Sequence, residues 1–288
     1  MSDAVTTDAA VDPSADVDEE ALEQADSAAF QEAQATQLAA AATRVTTVSA
    51  VRDVAVGMRE VTFRGGDLAT FRPLGADTFL YLLLPPPGRP ELAPDSSFTW
   101  EKAFALPEEE RPVGAYYTVR RWRPEVAEMD IWMVLHGDEG PASAWAGRAA
   151  VGDQVALWGP RSAYEPPAGT DRLLLVADET GLPAVAALLA QRPAGMPVRV
   201  IAEVDDEAHR PPLPVDDNVT VTWVHRDGAA PGTTTLLLDA VVALPPFEGQ
   251  PYVWGGAESR TLTKVRKEVR VNRGLPREQV SLVGYWRR

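Results

Sequence analysis

Hydrophobic positions along the chain fall into two textures. From about residue 44 they come as short β-branched segments broken by turn residues. This pattern predicts strands over Val45–Ala55, Arg59–Arg64, Phe79–Leu84, Tyr116–Trp122, Asp130–His136 and Gln154–Trp158. The breaks are Arg64-Gly65-Gly66-Asp67, the Pro85-Pro86-Pro87-Gly88 run and Gly137-Asp138-Glu139-Gly140. Six strands so punctuated predict a closed antiparallel barrel, with Pro141–Ala150 as its one helical insert. Pro160–Thr170, rich in Pro and Gly, reads as a linker. Beyond it the pattern alternates between strand and helix. Leu173–Ala177 is a continuous apolar run, as in a strand covered on both faces. Leu182–Gln191 reads as a helix with Pro183 near its first position, where the missing N–H costs nothing. Strands Val198–Val204, Val219–Val224 and Tyr252–Trp254 follow, separated by helices Thr234–Leu244 and Ser259–Asn272, and Val280–Tyr285 closes the chain. Such alternation predicts a mostly parallel sheet with helices on its faces, a fold class that binds nucleotides beyond the carboxyl ends of its strands.

The 288 residues therefore divide into a tail (1–43), a barrel domain (44–165) and an α/β domain (166–288). No run approaches the roughly 18 apolar residues that span a bilayer, and the acidic N-terminus lacks an apolar signal region. Cysteine is absent, which excludes disulfides, thiolate metal sites and iron–sulfur clusters, so redox chemistry needs a bound cofactor. A cytoplasmic monomer is the default expectation. Net charge is −15, of which residues 1–40 supply −10 and contain no Lys or Arg. That balance argues against nucleic acid and against anionic membranes, both of which require excess Lys and Arg. The tail, with almost no aromatic residues, is expected to be disordered or a loosely attached helix.

Several short strings carry chemistry. His136-Gly137-Asp138-Glu139-Gly140-Pro141-Ala142-Ser143 places a glycine turn before a helix, whose free N–H groups and positive dipole end suit a pyrophosphate. Asp138 and Glu139 should then point outward, and His136 reads equally as a strand-end histidine. As a metal ligand His136 is poor, having no partner at ligand spacing. In Tyr116-Tyr117-Thr118-Val119-Arg120 a ring, a hydroxyl and a guanidinium share one strand, which suits a planar cofactor with a phosphate; a plain barrel strand is the alternative. Asp178-Glu179-Thr180-Gly181-Leu182-Pro183 follows a buried strand and opens a helix, where a dinucleotide domain places its binding turn; Thr180 can cap that helix. Glu203, Asp205 and Asp206 end the next strand, where an acid bonds ribose hydroxyls and repels a 2′-phosphate, so NADH is favoured over NADPH. Trp254-Gly255-Gly256-Ala257-Glu258-Ser259 is a second strand-to-helix turn, in which Glu258 reads equally as a favourable charge in the first helical turn.

Taken in order, these strings resemble the siderophore-interacting protein family, a branch of the ferredoxin reductase superfamily, from about Arg44 to the C-terminus. Tyr116–Arg120 matches most of the family's Arg-x-Tyr-Thr-x-Arg flavin signature. His136–Ala146 matches its His-Gly-x-x-Gly-Pro-Ala-x-x-Trp-Ala string almost without change. Asp178–Ala184 matches its Asp-Glu-Thr-Ala-Leu-Pro-Ala turn with Gly181 in place of Ala, and Gly284-Tyr285-Trp286-Arg287 its ending. The resemblance implies a Greek-key flavin-binding barrel followed by a nicotinamide-nucleotide domain. FAD contacts are then implied at Tyr116, Tyr117, Thr118, Val119, Arg120, His136, Gly137, Gly140, Pro141, Ala142, Ser143 and Trp145. Nucleotide or flavin contacts are implied at Asp178, Glu179, Thr180, Gly256, Glu258, Tyr285 and Trp286, with Tyr117 and Thr118 facing the flavin. Two departures stand out. Ala115 occupies the signature's first Arg, leaving Arg111 or Arg121 to substitute, and Tyr81 occupies the place of a lysine often found in the siderophore site. The acceptor pocket is then expected to draw on Tyr81, Arg260, Lys264, Arg266 or Lys267. The implied activity is a ferric-siderophore reductase moving electrons from NADH or NADPH through FAD to an Fe(III)-siderophore. The alternatives are a reductase with another acceptor, such as free flavin, and a flavin-containing siderophore carrier with little turnover.

Overall fold

The structure is a computed structural model and describes residues 35–38, 41–137 and 140–288. Most of the acidic tail, together with Asp138 and Glu139, therefore lies outside the described residues, and so do the expectations placed on them. Six strands close into an antiparallel barrel: β1 (Ala42–Ala55), β2 (Met58–Arg64), β3 (Phe79–Leu84), β4 (Val113–Arg123), β5 (Glu128–Val134) and β6 (Gln154–Arg161). Their spatial order is β1-β2-β5-β4-β3-β6. Alternate residues of each strand point inward, and Phe63, Leu80, Leu82, Met129, Ile131 and Met133 fill the interior with almost no exposure. Each such side chain contributes about 1.5–3 kcal/mol by leaving water. Helix α2 (Pro141–Arg148) contributes Trp145 to that core, where the indole lies parallel to Phe63 with centroids 6.2 Å apart.

Two expectations are corrected here. Strand β6 does not stop at Trp158 but runs through Gly159-Pro160 to Arg161, because Ala42 and Phe79 still pair with Gly159 and Arg161. The barrel also carries a second helical insert, α1 (Trp100–Phe104), capped by the Thr99 hydroxyl.

The second domain has five parallel strands in the order β11-β10-β7-β8-β9, with β7 (Arg172–Ala177), β8 (Val198–Val204), β9 (Val219–His225), β10 (Pro251–Glu258) and β11 (Val280–Trp286). Helices α3 (Leu182–Gln191), α4 (Leu236–Val242) and α5 (Ser259–Lys267) cover its faces, and α5 runs on into a π-helical turn, Glu268–Asn272. Strand β10 is longer than its apolar run: Gly255, Gly256 and Ala257 remain in the sheet, paired with both neighbours or with β11. The chain reverses direction across the sheet between β7 and β10, the switch point at which open parallel sheets bind ligands. The two domains share a core, in which Met58 and Trp132 of the barrel pack with α3 residues Leu182, Ala184 and Val185. None of the helices among the described residues is long and apolar enough to cross a membrane.

Candidate functional site at the domain junction

The switch point faces the barrel. Asp178, immediately after β7, is 5% exposed and accepts four hydrogen bonds: from Thr180 N (2.8 Å) and Thr180 Oγ1 (2.5 Å), from Glu258 N (3.0 Å), and from Trp286 Nε1 (2.8 Å). Its carboxyl thus ties the β7 turn to the end of β10 and to the last residue of β11. Burial pushes its pKa up to about 6, and the nearby Glu179 adds to the rise against the Thr180 and Trp286 bonds. Thr180 spends its hydroxyl on Asp178, so it does not cap α3; Gly181 holds the cap position without a side-chain bond. Glu258, 2% exposed, caps α5 through Thr261 N (2.8 Å), and its other oxygen is buried without a hydrogen-bond partner.

Tyr285 connects this turn to the barrel. Its ring packs directly on the backbone of Gly256, where an added Cβ would come within 2.9 Å of it, and its hydroxyl meets Thr118 of β4. Burial, with help from the charges of Asp77 and Asp178, holds that hydroxyl's pKa well above the ordinary tyrosine range. Trp286 covers the neighbouring turn: its indole lies against Gly232, and its carbonyl accepts from Ser259 Oγ (2.9 Å).

On β4, Tyr117 and Thr118 leave the strand on opposite faces, as consecutive strand residues must. The two side chains therefore have different protein surroundings. Thr118 points to Tyr285, whereas Tyr117 packs with Ala115 and Val119 against the barrel core that includes Ala142 and Trp145. Burial raises the Tyr117 hydroxyl to about 12, and it makes no hydrogen bond among the described residues. Arg120 shares the outer face with Thr118. Its guanidinium lies 4.9 Å from the centre of the Trp132 ring, near Glu60, and its Nε is buried without a partner. Arg111 bonds the Leu106 and Phe104 carbonyls at the end of α1, so it does not replace the missing signature arginine. Arg121 is exposed.

At the glycine turn, Ser143 Oγ accepts from His136 N and donates to Gly137 O, both at 2.9 Å, which shapes the loop that opens α2. The exposed His136 ring lies beside Gly140, 3.0 Å from where a Cβ would stand. With Pro141 at its first position, α2 directs the remaining N–H groups of its first turn outward.

The β8 end differs from expectation. Glu203 is 4% exposed and is occupied by Thr234 Oγ1 (2.8 Å) and Arg226 (3.5 Å), so it is not available to a ribose. Burial works against the Arg226 charge, but a two-pronged bond to Glu179 (2.9 and 2.7 Å) prevails and holds its pKa above the ordinary value. Asp205 accepts from Gly228 N and Asp206 from Ala208 N.

The acceptor candidates separate. Arg266 is 6% exposed and bonds the Leu282 carbonyl, so it belongs to the fold. Lys264 and Lys267 lie about 9 and 13 Å along α5 from its cap, since a helix rises about 1.5 Å per residue. Arg260, exposed on the first turn, stays near the junction. Tyr81 spends its hydroxyl on Gly114 O (3.0 Å) and stands in an aromatic cluster on the outside of the barrel.

One residue no motif pointed to is Asp77, in the turn before β3. Fully buried, it accepts from Ser162 Oγ (2.6 Å), Ala163 N (3.1 Å) and Trp254 Nε1 (3.2 Å), joining the barrel to β10 beneath Tyr285. Gln37 clasps the same Ser162 backbone through its N–H (2.7 Å) and carbonyl (3.1 Å).

A barrel joined at the switch point of a parallel nucleotide-type sheet defines the ferredoxin-reductase-like class. A ferredoxin reductase of carbazole 1,9a-dioxygenase shares this fold at 17% identity and a TM-score of 0.58, over 85% of this chain and 70% of that one. More specifically, residues 47–164 match the siderophore-interacting FAD-binding domain and residues 170–288 the siderophore-interacting protein domain. The chain belongs to the siderophore-interacting protein family. A siderophore utilization protein from T. fusca is similar at 32% identity and a TM-score of 0.76, over 86% of this chain and 94% of that one. The ferric acinetobactin reductase of Acinetobacter baumannii is 28% identical over 200 residues, 69% of each chain.

Proposed function

We propose that this protein is a ferric-siderophore reductase that uses NADH or NADPH as donor, FAD as its bound cofactor and an Fe(III)-siderophore as acceptor, releasing Fe(II) inside the cytoplasm. The observation that carries this reading is the Gly256–Tyr285–Thr118 contact, which joins the nucleotide turn to the flavin strand with no intervening element. The residues fit a flavin. The first turn of α2 offers N–H groups to a pyrophosphate, and Tyr117 holds a partly buried hydroxyl that makes no hydrogen bond among the described residues. Bound FAD supplies the conversion of a two-electron hydride donor into one-electron reduction of ferric iron. The chain's own residues orient and exclude water: Tyr285 and Trp286 cover the junction, and Asp178 fixes the turn on which a nicotinamide would rest. Iron leaves on reduction because hard oxygen donors hold the ferric ion far more tightly than the ferrous one. The relatives' names support this reading through their shared family.

Titration of the purified chain with FAD, followed by anaerobic mixing with NADH and then a ferric hydroxamate or catecholate, tests it. Uptake of FAD, bleaching by the donor and reoxidation by the chelate are expected. Failure to bind flavin overturns the proposal; bleaching without reoxidation by any ferric chelate points to another acceptor, and no bleaching by either donor to a carrier.

Tyr117→Phe is expected to weaken FAD binding roughly tenfold, the value of about one hydrogen bond, while leaving melting of the flavin-free protein unchanged or slightly raised. Calorimetric titration beside a thermal melt checks both; equal FAD affinity would remove Tyr117 from the cofactor site.

For the donor, Asp205 and Asp206 stand at the β8 end, Asp206 bonded to His209 Nδ1 (2.7 Å), and Arg226 there is already paired with Glu179 and Glu203. A 2′-phosphate would meet net negative charge, so kcat/KM for NADH is expected to exceed that for NADPH roughly tenfold. Steady-state rates with the two donors decide; preference for NADPH would mean that Arg226 leaves its partners on binding.

A further inference from the structure

The outer face of β6, β3 and β4 carries a row of aromatic side chains that the fold does not bury. Register sets its layout. Thr118 pairs with Phe79 and Phe79 with Arg161, while Tyr116 pairs with Tyr81 and Tyr81 with Trp158, so the members of each row point the same way. Tyr116 stands edge-on to both Phe79 (5.4 Å between centroids) and Tyr81 (4.9 Å), Trp100 of α1 stands edge-on to Tyr81 (5.1 Å), and Phe104 stacks on Trp100 (5.7 Å). The Arg161 guanidinium lies over two of these rings, 5.8 Å from the centre of Phe79 and 5.4 Å from that of Tyr116, and donates to the Tyr116 hydroxyl at 2.7 Å. Tyr116 is 45% and Phe104 64% exposed, an arrangement that costs free energy unless something covers it. The shelf begins beside Thr118, the residue that meets Tyr285, and so opens from the junction itself.

Its chemistry is selective. Exposed ring edges and faces stack with flat, electron-rich rings, and a guanidinium held over two rings attracts an aromatic anion both through its charge and through planar contact with phenolate oxygens. A ferric catecholate complex offers flat rings and a net negative charge. A ferric trihydroxamate is neutral and presents aliphatic linkers, which engage neither term. A lysine at residue 81 would act on both complexes through charge alone; this chain has a tyrosine there, with its hydroxyl already bonded to Gly114 O.

Resting on the reductase reading above, we propose that Phe79, Tyr81, Trp100, Phe104, Tyr116 and Arg161 form the acceptor-docking shelf and select ferric chelates with aryl, anionic ligands over aliphatic hydroxamates.

The test uses the full chain loaded with FAD and left oxidised, with no donor present. Tryptophan fluorescence is titrated with ferric tris(2,3-dihydroxybenzoate) and, separately, with the neutral ferric tris(acetohydroxamate); gallium complexes of the same ligands control for quenching by iron. The catecholate is expected to bind roughly tenfold tighter or better. Arg161→Gln is expected to bring that ratio to about one by weakening the catecholate alone. Phe104→Ala, at an exposed ring with no core contacts to lose, is expected to weaken the catecholate about threefold and serves if Arg161→Gln melts early. Equal affinities for the two chelates, or catecholate binding untouched by both variants, overturns the shelf. Because the titration needs no electron transfer, a protein that binds catecholate selectively but is never bleached by a donor would sink the reductase reading and leave the shelf standing. A protein that reduces both chelates equally well would do the reverse.

Discussion

Asp77→Ala is expected to lower the melting temperature by about 10 °C, the largest effect of any single polar substitution in the junction. The carboxylate satisfies Ser162 Oγ, Ala163 N and Trp254 Nε1 in a place with no access to water. Its removal strands three donors, and breaking such a buried network costs on the order of 3–4 kcal/mol, each worth a few degrees in a protein of this size. Asp77→Asn keeps an acceptor for Ser162 and Ala163 but turns an amide N–H toward the Trp254 indole, so about half the loss is expected. The pH dependence separates charge from packing. Burial raises the Asp77 pKa against the bonds it receives, so the native state holds the proton more tightly than the unfolded chain does. The stabilising contribution is then complete below the ordinary aspartate value and is lost as pH rises through the native one. The Asn variant does not titrate, so its deficit relative to wild type should be largest at and below the ordinary aspartate value and shrink as pH rises through the raised native one. Melting curves across that range check both points. If the alanine variant melts within about 2 °C of wild type, Asp77 does not hold the domains together.

Neither Asp77 nor its role was legible in the sequence, and the reason is separation: its partners lie 85, 86 and 177 residues away, with no local pattern to betray them. What was legible rested on local physics. Phe79–Leu84, Leu182–Gln191 and Val198–Val204 begin and end where β-branched or apolar runs and flanking Pro and Gly place them. Glycine and proline also misled. Pro160 reads as a linker yet extends β6, and Gly255-Gly256 reads as a turn yet stays in β10, because Leu282 and Tyr285 crowd those positions and leave no room for a side chain. Arg266 reads as a free cation on a basic helix; only the packing of Leu262, Val265 and Val269 against the sheet shows that it sits on the buried flank. The motifs located the junction, but the assignment of contacts within it depends on strand faces, as the divergence of Tyr117 from Thr118 illustrates.

Gly181→Val tests the junction from its other side. A Cβ at residue 181 would lie 2.0 Å from the carbonyl oxygen of Gly256 and 3.0 Å from the Ala177 side chain, so α3 and β10 approach each other as closely as two backbones can. The glycine is required by this contact and not by its dihedrals, which are those of an ordinary helical residue. Substitution must push the Asp178 turn away from β10, which separates Asp178 from Glu258 N and loosens the Tyr285 ring on Gly256. Overpacking of this kind costs typically about 1–3 kcal/mol, or a fall in melting temperature of roughly 3–10 °C. The functional consequence should be larger and one-sided. The glycine turn before α2 and the Tyr117 hydroxyl belong to the barrel and not to the displaced turn, so FAD affinity is expected to stay within about twofold, whereas donor-driven flavin bleaching should slow at least roughly tenfold, since an ångström-scale displacement of reacting partners costs that much or more. Stopped-flow absorbance of the FAD-loaded variant against NADH measures the second effect, and equilibrium titration with FAD the first. Parallel loss of both would mean that the turn supports the barrel's cofactor site as well; an unchanged bleaching rate would mean that the donor is not positioned by the Asp178–Gly256 contact at all.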